Sequence, residues 1–173
     1  IAIGMVKIIK QLHKNGYVHT NLNPDIFLIE KVTLKVYLCD FSQVIIAKGN
    51  IDADISNLRS LVISYAAPEQ IGIMIDLIDY RTDIYSLGVI FYEMLTRLLP
   101  INKNELDSFV HEHFTKKIKT PHDIRDDIPA FLSGIVMKCL NKHQDYRYQS
   151  INSLLKDLTR FRELYMQNKN VKI

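Results

Sequence analysis

The chain has 173 residues, of which 47% are hydrophobic and 24% charged, with a net charge of +3. That length and balance suit one globular domain with a real hydrophobic core and exclude a disordered or low-complexity chain. The slight positive charge has one visible cluster, Lys116, Lys117 and Lys119, without the interleaved aromatics that stack bases, so no nucleic-acid partner is expected.

Residues 2 to 14 carry Ile3, Met5, Val6, Ile8, Ile9 and Leu12, apolar over more than one face. The spacing predicts a buried helix, and Asn15-Gly16 supplies a left-handed stop. After the loop HTN come two short β-rich runs, 26–29 and 35–38, separated by a polar turn with Lys31 and Thr33. They predict a small antiparallel hairpin, which ends in Asp40-Phe41-Ser42. From Gln43 to Ala67 the text is irregular, with Gly49-Asn50 and scattered Asp and Ser, the character of a long functional loop.

Helices dominate thereafter. Asp83 to Thr96 is apolar nearly all round and belongs inside the core, whereas 105–114, 130–140 and 151–164 are amphipathic. Pro129 fits the first position of one helix and Ser150 caps another. The best apolar run, Leu87 to Leu95, contains Glu93 and falls short of the ~18 apolar residues that a bilayer span needs. Cys39 and Cys139 lie far apart, without zinc-like spacing, which points to a reducing, cytoplasmic compartment. The opening IAIGMVKIIKQLHKNG lacks an initiator Met and starts in helical pattern, so the chain reads as a fragment or late start of something longer.

The segment YAAPEQIGIMIDLIDYRTDIYSLGVIFYEML, Tyr65 to Leu95, resembles the junction between activation segment and central helix in protein kinases. Ala67-Pro68-Glu69, Asp83-Ile84-Tyr85-Ser86-Leu87-Gly88 and Arg147 stand at that family's separations. The likeness covers essentially the whole chain and is closest to the kinase-like domains of large hybrid histidine kinases and multi-sensor proteins. It implies a mainly α fold, the helical C-terminal lobe with a short β-hairpin near the catalytic loop. No G-x-G-x-x-G and no Val-Ala-x-Lys precede it, so the small N-terminal lobe is expected to be missing. The expected boundaries are 1–165 for this domain and 166–173 for a polar tail or the start of a linker.

The resemblance also assigns positions. Glu69 should pair with Arg147, and Asp83 should accept backbone N–H groups around His19 and Thr20; these four, His19, Glu69, Asp83 and Arg147, are structural anchors. The chemistry departs from the pattern. In HTNLNPDIFL, Asn21 stands at the catalytic base, Asn23 at the lysine that touches the transferred phosphate, and Ile26 at the second magnesium ligand. An amide cannot take up a proton near neutral pH, and a hydrocarbon cannot bind a cation. Thr20 replaces the arginine that would meet a phosphorylated loop, Val62 replaces the bridging hydroxyl residue, and Leu61 the glycine before it. Asp40 alone keeps its metal-facing position, with Ser42 where glycine is usual.

A degenerate kinase, or pseudokinase, that regulates or scaffolds neighbouring domains of a larger sensor protein is therefore expected, its partners being proteins. The alternative is an active ATP-dependent Ser/Thr kinase with an atypical catalytic loop. ATP and Mg2+ can serve only if a small lobe is supplied upstream. His111 and His113 point to different faces of a helix and make poor joint metal ligands. Ser56, Ser60 and Ser64 are candidate phosphorylation sites. The groove between the loop ending at Glu69 and helix 105–114 is a candidate partner surface.

Overall fold

A computed structural model describes residues 1–47, 62–72, 74, 77–101, 110–112 and 117–170. Helix α1 spans Ala2–Lys14 and buries Met5, Val6 and Ile9, with Ile3 and Ile8 packed at the edge of the same core. It buries chiefly one face rather than several. The stop after it is Gly16, at φ +83, which a Cβ would strain. The chain then forms β1, Tyr17–Val18, and a short 3-10 turn, Pro24–Ile26.

Strands β2, Phe27–Ile29, and β3, Val36–Leu38, pair antiparallel with Phe27 opposite Leu38 and Ile29 opposite Val36. β4, Ile45–Ile46, returns to pair antiparallel with β1. Strand β4 lies within the stretch read from sequence as irregular, because two residues are too few to show a period of two.

Helix α2, Tyr80–Thr96, is buried without interruption from Thr82 to Tyr92. It begins three residues before Asp83, because the Asp79 carboxylate accepts the Arg81 N–H at 2.7 Å and caps it. Short α3, Pro121–Ile124, is closed by a reciprocal cap between Thr120 and Asp123. Helix α4 spans Ala130–Cys139, with Pro129 one residue ahead of it in extended conformation rather than at its first helical position. Helix α5 runs Ile151–Asn170, beyond the Leu164 expected from its apolar stripe. Ser150 Oγ accepts the Ser153 N–H at 3.2 Å at its start. Of the helix expected over 105–114, residues 110–112 are helical and the remainder, His113 included, lies outside the described residues, as do Gly49-Asn50, Ser56, Ser60, Leu61 and Lys116.

The core gathers α1, α2, α4 and α5 around Ile9, Ile84, Leu87, Ile135, Val136 and Leu154, all within 2% of full burial. No helix among the described residues is long and apolar enough to cross a membrane. Helices α2 and α4 pack tightly at Gly88, where an added Cβ would meet the Cys139 Cβ at 2.6 Å and Leu140 Cδ2 at 3.3 Å. The first of these atoms is fixed to the α4 backbone and cannot swing aside. Gly88→Ala is therefore expected to destabilise the domain by about 1–3 kcal/mol through overpacking. Urea unfolding followed by circular dichroism measures it; an unchanged midpoint would mean that the two helices separate freely.

Candidate functional site

The loop from His19 to Ile26 is held from beneath by Asp83, whose side chain is fully buried in the first turn of α2. Its Oδ2 accepts the His19 N–H and its Oδ1 the Thr20 N–H, each at 2.9 Å. His13 Nε2, on α1, reaches Oδ2 at 2.7 Å. Three donors converge on one carboxylate, as a buried charge requires.

Thr20 has φ +66, an uncommon state for a β-branched residue and costly by about 1–3 kcal/mol. Its surroundings leave it no alternative. Besides the N–H bond to Asp83, its hydroxyl donates to the Gln43 carbonyl at 2.7 Å, and its own carbonyl accepts Gln70 Nε2 at 2.5 Å. The buried His19 ring donates from Nε2 to the Asp40 carbonyl at 2.6 Å and accepts the Asn21 N–H at Nδ1, which fixes its neutral tautomer. His19 thus ties the loop to the end of the hairpin.

The side chains along the loop point in several directions. Asn21 Oδ1 accepts the Val62 backbone N–H at 3.1 Å. Asn23 is buried, its Oδ1 capping the 3-10 turn by accepting the Asp25 N–H at 3.0 Å, while Nδ2 donates to the Asn21 carbonyl at 3.1 Å. Ile26 is part of the core. Asp40 Oδ1 accepts the Ser42 N–H at 2.9 Å. The Ser42 backbone and hydroxyl hold the Asp40 carboxyl below the usual carboxylate range.

On the other side, residues 62–71 are tied to the helices. Arg147 and Glu69 form two parallel bonds of 2.8 Å, with both side chains fully buried. The guanidinium spends its remaining N–H groups on the carbonyls of Asn141 at 2.7 Å, Lys142 at 2.8 Å and Arg81 at 3.1 Å. All five donors are satisfied. The Thr82 hydroxyl adds a bond to Glu69 Oε1 at 2.8 Å. Gln70 Oε1 takes the Ala67 N–H at 2.9 Å while its amide nitrogen reaches Thr20. The Tyr65 hydroxyl donates to Glu93 at 2.6 Å, and desolvation with that carboxylate pushes its pKa far up.

A family model described as a protein kinase domain matches residues 1–158. The chain belongs to the protein kinase family. It is 40% identical over 109 residues to hybrid signal transduction histidine kinase G of Dictyostelium discoideum, covering 63% of this chain and 3% of that protein. It is 32% identical over 171 residues to a protein named a probable serine/threonine-protein kinase in Clostridium acetobutylicum, covering 96% of this chain and 25% of that one. Histidine protein kinase 1 of Candida albicans is 31% identical over 170 residues, with 94% and 7% covered. The chain thus spans a quarter or less of these relatives.

Protein kinase domains in general use ATP with Mg2+. The side chains present here do not fit that cation. Ile26 has no donor atom, both ends of the Asn23 amide are spent inside the loop, and among the described residues no three His, Cys, Asp or Glu side chains come together to hold a metal. Asp40 is the carboxylate that remains. His111 is exposed on the helical turn at 110–112, and Ser64 is half-buried in the 3-10 turn Ile63–Tyr65.

Gln70, Thr82 and His13 escaped the sequence reading. No local signal marks them, since the bonds of Gln70 to Thr20, Thr82 to Glu69 and His13 to Asp83 span 50, 13 and 70 residues.

Burial would raise the Glu69 carboxyl, but the bonds and charge of Arg147 outweigh it and hold the group below its ordinary value of 4.5. The unfolded chain binds this proton more readily than the folded one. The contribution is complete above that pH and is lost as pH falls through the lower, folded value. Stability measured by urea titration is expected to decline in that acid window. Arg147→Ala should cost about 3–5 kcal/mol, because it strands a buried carboxylate. Arg147→Lys should recover part of that at most, since a point ammonium cannot replace the planar fork. A wild-type midpoint in either variant would show the pair to be dispensable.

Proposed function

We propose that this domain is a catalytically degenerate kinase fold that works as a regulatory or scaffolding module within a larger cytoplasmic signalling protein. The observation that carries the reading is the Asn21 side chain. It stands where the family keeps its catalytic base, is an amide, and has its oxygen engaged by the Val62 N–H at 3.1 Å. A positioned base is worth about 10²–10⁴ in rate, and this group cannot accept the proton. Ile26 in the core and the inward Asn23 support the same reading, since neither can meet a cation or a phosphate.

What the fold retains suits a binding role. The bonds of Asp83, Glu69 and Arg147 organise the lobe whatever its chemistry, and such a lobe can hold a neighbouring module in one of two arrangements. The similarity to multidomain histidine kinases makes neighbouring domains of the same polypeptide the natural partners. Residues 1–165 would form that module and the last residues, from 166, the passage to the next. The candidate groove beside helix 105–114 lies mostly outside the described residues.

One observation favours a second reading, an active Ser/Thr kinase with an atypical loop. Asp40 keeps an ionised carboxylate at the end of the hairpin, and relatives named serine/threonine kinases match nearly the whole chain. The two readings separate in a phosphate-transfer assay with labelled ATP and Mg2+, on the longest natural protein containing this chain, beside Asp40→Ala. We expect no transfer above the Asp40→Ala level, and none gained by Asn21→Asp, because Ile26 still denies the second ligand. Transfer that depends on Asp40 would replace the first reading by the second.

A further inference from the structure

We draw no further inference here: the strongest candidate, the cavity of about 590 Å3 between the start of α1, the segment from Pro24 to Ile29 and the end of α2, has its Glu93 carboxylate already bonded to Tyr65, and nothing in the structure shows what covers its apolar wall.

Discussion

Asp83 is where the separate parts of this lobe become one object. Its carboxylate is fully buried, and a buried charge is tolerable only when donors surround it. Those donors come from the end of α1 and from the backbone of the loop at His19 and Thr20. α1, the loop and α2 are thereby fixed against each other by a requirement that none of them can satisfy alone. The unusual backbone of Thr20 lies between two fixed peptide groups, its N–H bonded to Asp83 and its carbonyl to Gln70.

A second buried charge, Arg147, performs the corresponding service for the segment from Ala66 to Ile71. Its five donors bind Glu69 and three backbone carbonyls, and its guanidinium lies 4.9 Å from the Tyr85 ring centre. Gln70 joins the two systems, since its amide spans from Ala67 to the Thr20 carbonyl. The two networks therefore form a continuous polar frame through the helical core. Its members bond to one another and to backbone groups, so the frame is complete without any side-chain bond from Asn21, Asn23 or Ile26.

Much of the fold was legible in the sequence. The hairpin was read from two β-rich runs around a polar turn, and the helices from apolar periods of three to four residues; both signals arise from contacts local in the chain. The misses have the same origin. β4 is two residues long, too short for a period, and α5 runs past its apolar stripe, where Tyr165, Met166 and Gln167 are exposed and carry no apolar period. The Asp79 cap stands ahead of the apolar run by which the helix is recognised.

The polar frame divides differently. Glu69, Arg147 and Asp83 were reached through resemblance to a family, not through spacing, since the partners stand 78 and 64 residues apart. Nothing local in the sequence announces that His13 meets Asp83, that Gln70 meets Thr20, or that Val62 meets Asn21. By itself the sequence determined which segments are helical and which residues are apolar enough to be buried; that Asn21 and Ile26 stand at the family's base and metal-ligand positions is what the resemblance implies. Only the tertiary structure decided which donors satisfy each buried charge. The reason is physical: secondary structure is written in neighbouring residues, whereas the satisfaction of a buried polar group depends on the path of the whole chain.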